Sequence, residues 1–150
     1  MPQSLSRVLL HVIFSTKDRQ PWLSQTLRPA VFAYLAGVAR EMGGECFRVG
    51  GMNDHAHLAL ILPRTVTQAQ LVEELKTASS RWYKQQSGAA RDFSWQRGYG
   101  AFSVSPQGLP ALCDYIDAQE EHHRTVVFQE EYRKFLRKYN VPYDERYVWD

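Results

Sequence analysis

Residues 45–63 read ECFRVGGMNDHAHLALILP. The runs 45–51 and 55–63 read as strands. The break between them, Gly50-Gly51-Met52-Asn53-Asp54, is turn-rich, so the segment is expected to form a β-hairpin that Pro63 ends. Strand side chains alternate with period two, which places His55 and His57 on the same face. Two imidazoles on one face are a ready pair of metal ligands. Two buried, hydrogen-bonded histidines, or a polar strand end, would leave the same short signature.

Working outward, residues 7–15 (RVLLHVIFS) are apolar and β-branched and end in a polar cluster at 16–20, as a buried strand would. A helix is expected over 26–42. Leu27, Val31, Tyr34, Leu35, Val38 and Met42 recur at helical spacing, Pro29 is tolerable near the first turn, and Gly43-Gly44 stops the helix. After the hairpin, Thr67 caps a second helix with Gln70 in the capping-box position, and Leu71, Leu75, Ala78 and Trp82 mark its apolar stripe. A loop over about 87–98 leads to an alternating strand, 99–105 (YGAFSVS). Helices over 108–122 and 127–138 follow, the last with Phe128, Tyr132, Phe135 and Tyr139 on one face. The order β-α-β-β-α-β plus two C-terminal helices predicts an α+β, ferredoxin-like sandwich with an antiparallel sheet. Two helices would cover one face of that sheet and leave the other for a site or for the C-terminal helices.

The totals bound the function without deciding it. A chain of 150 residues is long enough for one domain with a real core, and no repeat or linker divides it. A net charge of +2 permits a nucleic-acid partner only through a local patch. Cys46 and Cys113 form no C-x-x-C pair, which argues against a zinc ribbon or disulfide framework and suits a reducing cytoplasm. The longest apolar run, 30–36, is too short to span a bilayer, and no signal-peptide pattern opens the chain. A cytoplasmic protein with no membrane partner is expected.

A second constellation is Tyr115-Ile116-Asp117-Ala118-Gln119. On a helix, residues i and i+4 share a face, so Tyr115 and Gln119 sit one turn apart, flanking an apolar stripe of Leu109, Leu112 and Ile116. Tyr115 could equally be one more packing tyrosine. Taken with the histidine pair, the two fragments suggest phosphoryl chemistry. A metal held by His55, His57 and the Gln119 amide oxygen keeps positions open for substrate and can polarise a phosphate oxygen. A tyrosine hydroxyl, with an unperturbed pKa of about 10, needs such help to attack an in-line phosphate. Attack would leave a covalent phosphotyrosine and a free 3′-hydroxyl that can later reverse the reaction, with no nucleotide cofactor.

These motifs resemble the HUH single-tyrosine transposases of insertion sequences and their REP-associated relatives. The resemblance rests on His55-Ala56-His57 preceded by Asn53-Asp54, and on Tyr115-Ile116-x-x-Gln119. It extends to His11-Val12-Ile13-Phe14-Ser15-Thr16-Lys17, Leu75-Lys76-x-x-Ser79-Ser80-Arg81-Trp82, Trp95-Gln96-x-Gly98-Tyr99-Gly100-Ala101-Phe102 and Glu121-His122-His123-Arg124, and so runs in order along nearly the whole chain. It implies a transposase that cuts and rejoins single-stranded DNA near hairpin ends, with Tyr115 as nucleophile, His55, His57 and Gln119 on the metal, and magnesium or manganese as that metal. It also implies a homodimer in which the tyrosine helix of one subunit can serve the histidine pair of the other. A non-catalytic ferredoxin-like module that binds structured nucleic acid is the alternative, and a histidine phosphohydrolase for small molecules is a third.

Basic and aromatic residues interleave around the loop before the fourth strand. Arg81, Lys84, Arg91 and Arg97, with Trp95 and Tyr99, suit phosphates and unpaired bases, although a solvated face would share this pattern. His123, one turn after Gln119, could reach the site or a phosphate, or could be an exposed helix-end histidine. Arg133, Lys134, Arg137 and Lys138 read as a solvated face, and His11, on the strand face of Ile13, as a core or strand-pairing residue at least as readily as a DNA contact.

Overall fold

A computed structural model describes residues 1–150. Strands β1 (Leu9–Ser15), β2 (Glu45–Gly51), β3 (His55–Ile61) and β4 (Gly100–Ser103) form one antiparallel sheet in the order β2-β3-β1-β4. That is the ferredoxin-like order expected from the element sequence. The anticipated hairpin is present, with β2 and β3 paired from Glu45↔Ile61 to Gly51↔Ala56.

Helices α1 (Arg28–Glu41) and α2 (Gln68–Lys84) cover one face of the sheet. Leu10, Val12 and Phe14 of β1 and Ala56, Leu58 and Leu60 of β3 meet Val31, Leu35, Leu71 and Leu75 there in the larger core cluster. The capping box of Thr67 and Gln70 forms as read, with both reciprocal hydrogen bonds. The α2 stripe turns slightly from the expected one: Leu71, Val72, Leu75, Ser79 and Tyr83 are buried, while Trp82 stacks on Tyr34 of α1 at 4.9 Å between ring centroids.

The opposite face carries the C-terminal helices. The single helix expected over 108–122 is two, α3 (Leu109–Asp117) and α4 (Gln119–His122), because Ala118 leaves helical geometry at φ −93°, ψ 13°. Arg28 of α1 tethers α4 by pairing with Glu120 at 2.8 Å. Helix α5 (Phe128–Lys138) packs Phe128, Tyr132 and Leu136 against Ile13 and Phe102 in a second cluster. β4 is shorter than the expected 99–105, since Ser105 turns to cap the next segment through Gly108 N–H. No helix is long and apolar enough to cross a membrane.

Two glycines let the helices approach the sheet closely. A Cβ on Gly50 would lie 2.7 Å from Ile116 Cγ2 and 2.8 Å from the Ile116 carbonyl oxygen, and one on Gly100 would lie 2.8 Å from the Tyr132 ring. At Gly50 the obstacle includes α3 backbone, so the helix itself must move. Gly50→Ala is therefore expected to destabilise the protein by about 1–3 kcal/mol. Urea unfolding would check this, and an unchanged midpoint would contradict the close seating of α3.

Candidate metal and nucleophile site

The period-two reading of β3 holds. His55 and His57 point to the face opposite the main core and are fully buried, facing Ser15 and Ile13 across the β1 register. His55 Nδ1 lies 2.7 Å from Asp54 Oδ1, and a carboxylate there accepts from Nδ1–H and so favours the tautomer whose Nε2 lone pair faces inward. His57 Nδ1 shares a 2.8 Å hydrogen bond with His11 Nε2 of β1. Of the two readings of His11, its burial fits the core or pairing role rather than DNA contact, but its partner is a candidate metal ligand and it sets the orientation of that ring.

At the centre stands Glu131 of α5, which is 2% exposed. Its Oε1 lies 2.9 Å from His57 Nε2, 3.1 Å from His123 Nε2 and 3.6 Å from His55 Nε2. Its Oε2 accepts from Gln119 Nε2 at 2.9 Å and from the Tyr115 hydroxyl. Gln119 also brings its Oε1 to 2.9 Å from His55 Nε2. Although Ala118 separates Tyr115 from Gln119, both side chains converge on the same carboxylate. One ligand atom each from His55, His57, His123 and Glu131 falls within 4.8 Å of the others. His122 Nε2 is buried beside this cluster, 3.4 Å from Glu131 Oε2, with no hydrogen-bond partner.

Burial and this carboxylate set the charges. Burial pulls the His57 pKa down to about 4, outweighing the opposing hydrogen bond to Glu131, so the ring is neutral at pH 7. Burial also lowers His11 well below its usual value, with His57 adding to the effect. Burial alone would raise the Glu131 carboxyl, but hydrogen bonds from His123 and His57 outweigh it and hold the group far below the carboxylate range. The Tyr115 hydroxyl is pushed well above 10, first by burial and then by the Glu131 charge. Without a neighbouring cation this phenol is a weak nucleophile.

The family model for IS200-like transposases matches residues 4–119. The chain belongs to that family. Two solved structures share the transposase fold. A candidate transposase from Deinococcus radiodurans R1 is 24% identical, with a TM-score of 0.58 over 79% of this chain and 98% of that one. A REP-associated tyrosine transposase bound to a REP hairpin is 15% identical, with a TM-score of 0.61 over 84% of this chain and 74% of that one. No curated protein matches.

In this IS200-like transposase the residues read from sequence divide into two groups. Tyr115, His55, His57 and Gln119 come together, and His123 joins them with a side chain 6% exposed, in contact with Glu131 rather than at an open helix end. Trp95, expected as a stacking surface for bases, is instead a core residue. Its indole donates to Ser79 Oγ at 2.9 Å and packs edge-on against Phe14 and Phe93, with 7% of the residue exposed. Arg81 and Lys84 are exposed on α2, across the sheet from Tyr115, and Arg91 and Arg97 are exposed in the loop. Tyr99 is half-buried, with Lys76 Nζ over its ring at 5.8 Å.

The 133–138 stretch is not uniformly a solvated face. Arg133 is engaged by Glu130 and Glu145, whereas exposed Lys134 and Lys138 line a small opening together with Tyr115, His122, Glu131 and Phe135. Glu131 itself had a signal in the sequence. It is an acidic residue at helical spacing within the Phe128, Tyr132, Phe135 stripe, where a lone carboxylate needs partners to be buried.

Proposed function

We propose that this DNA transposase cleaves and rejoins single-stranded DNA near hairpins, using Tyr115 as the nucleophile. The supporting observation is that one buried carboxylate, Glu131, contacts the Tyr115 hydroxyl on one side and the His57 and His123 rings on the other, which puts the phenol at the edge of a metal-ligand cluster. The donor set fits a divalent cation. With Nδ1–H donating to Asp54, His55 turns an Nε2 lone pair toward Gln119 Oε1, whose amide is fixed by its N–H bond to Glu131. At 2.9 Å the His55 Nε2 lone pair and Gln119 Oε1 are spaced as two neighbouring ligands of one metal ion would be.

His55, His57 and Gln119 would hold magnesium or manganese, and that ion would polarise the scissile phosphate and neutralise charge on it. Tyr115 would attack the phosphorus in line. The P–O3′ bond breaks, giving a 5′-phosphotyrosine and a free 3′-hydroxyl, and the reverse attack by a 3′-hydroxyl rejoins strands. Lys134 and Lys138 flank the opening beside Tyr115 and would seat the phosphate backbone there. The basic side chains Arg81, Lys84, Arg91 and Arg97, with Tyr99, would contact the hairpin. The structural neighbour's REP hairpin supports a hairpin-bearing partner. The reading includes a homodimer with tyrosine exchange in trans, although within one chain Tyr115 already lies 5.8 Å from its own His57 between ring centroids.

A labelled single strand from the flanks of the gene, incubated with the protein in manganese or EDTA and run on a denaturing gel, tests this reading. Metal-dependent cleavage products are expected. Metal-independent binding in a native gel, without cleavage of any flank, would instead indicate a non-catalytic binding module. In an equilibrium binding titration of the same strand, replacing both Lys134 and Lys138 by Ala should lower the slope of log affinity against log salt by about 1.4, at about 0.7 per phosphate contact on a single strand. An unchanged slope would remove these lysines from the DNA path.

A further inference from the structure

We infer that Glu131 is itself a metal ligand, contributed by a helix that lies beyond the residues matching the family. The inference rests on the metal-dependent reading above. The match ends at residue 119, and α5 begins at Phe128.

Three lines of geometry converge. First, an octahedral cation of the magnesium kind binds its ligands at about 2.0–2.1 Å, so adjacent donors lie about 3 Å apart. Glu131 Oε1 is 2.9 Å from His57 Nε2 and 3.1 Å from His123 Nε2, and Gln119 Oε1 is 2.9 Å from His55 Nε2. Second, the His55-to-Glu131 separation of 3.6 Å and the 4.8 Å limit on the whole cluster leave room for these atoms to surround one ion rather than two. Third, the Glu131 carboxylate is 2% exposed and sits with Oε1 facing the His55, His57 and His123 rings, so a formal negative charge shielded from water lies at the centre of the donor set.

A hard carboxylate oxygen also suits magnesium or manganese better than a purely imidazole set, which favours softer ions. The ligand's other oxygen, Oε2, accepts the Tyr115 hydroxyl, so one side chain links the metal position to the nucleophile. His11 is placed to support the exchange of partners. With a metal on His57 Nε2, the remaining His57 proton sits on Nδ1 and donates to His11 Nε2.

The test is manganese binding to the protein alone, read by electron paramagnetic resonance of the free ion, for wild type, Glu131→Gln and His57→Ala. Glu131→Gln keeps the shape and a hydrogen-bonding amide but loses the charge. Its melting temperature in EDTA, close to that of wild type, would show that the fold survives. The expected result is a fall in manganese affinity of at least about tenfold in Glu131→Gln, with His57→Ala also weakened. Wild-type affinity in folded Glu131→Gln, with His57→Ala weakened, overturns the assignment of Glu131 and leaves the histidine site standing. Absence of specific manganese binding in wild type overturns both.

Discussion

Tyr115→Phe is expected to abolish covalent attachment of DNA and to lower cleavage by at least about 10⁴-fold, while leaving the fold and metal binding in place. The phenol oxygen is the only atom the substitution removes. Its one hydrogen bond goes to Glu131 Oε2, which keeps the Gln119 amide as donor, so no buried group is left without a partner. The ring's packing against His57, Phe135 and His122 is retained. A structural role for the hydroxyl would therefore cost little, and a nucleophilic role would cost nearly all activity. Single-turnover cleavage of a labelled strand at saturating manganese separates the two. A Tyr115→Phe protein that cuts at a rate near wild type would assign the nucleophile elsewhere.

The second large effect is expected from His57→Ala. This fully buried ring meets His11 through Nδ1 and Glu131 through Nε2, so its loss removes a ligand and strips a partner from two buried polar groups. Cleavage should fall by about 10²–10³-fold, and added manganese should restore only part of it. The same residue gives a pH signature in the metal-free protein. Its pKa is about 4 when folded, held down by burial, against about 6.5 for an unperturbed histidine. The unfolded chain therefore binds this proton more readily between those values, and stability contributed by the neutral ring declines as pH falls from 6.5 to 4. His57→Ala should flatten that part of the urea-midpoint profile measured in EDTA. A profile as steep as that of wild type would mean that His57 is not the buried neutral group described.

Much of this architecture was legible because it depends on local periodicity. The alternation of 55–61 fixed which face His55 and His57 share, and the apolar spacing of α1, the Thr67 cap and the Gly43-Gly44 stop gave elements whose order allows a ferredoxin-like sheet. The Tyr115–Gln119 pairing was visible as helical spacing. The break at Ala118 was not, because the residue itself favours helix and nothing in its neighbourhood announces a turn. Glu131 escaped for a different reason. It lies 74 residues from His57 in sequence, and only the fold of α5 onto the sheet makes a carboxylate in an apolar stripe a site residue. Trp95 was misread because composition shows an aromatic among basic residues but cannot show that its indole closes the main core against Ser79. Lys134 and Lys138 look like their neighbours Arg133 and Arg137 until the rotation of α5 decides which of them reach the opening near Tyr115.

The most direct test of Tyr115 chemistry is to find the bond it would form. Wild-type protein is incubated with single-stranded DNA carrying the hairpin-bearing flanks of its gene in manganese, digested with nuclease and trypsin, and its peptides are weighed by mass spectrometry. The account predicts a nucleotide phosphate mass on the peptide that contains Tyr115, present with manganese and absent in EDTA. Metal-dependent cleavage with an unmodified Tyr115 peptide, or with the nucleotide on another residue, would contradict it.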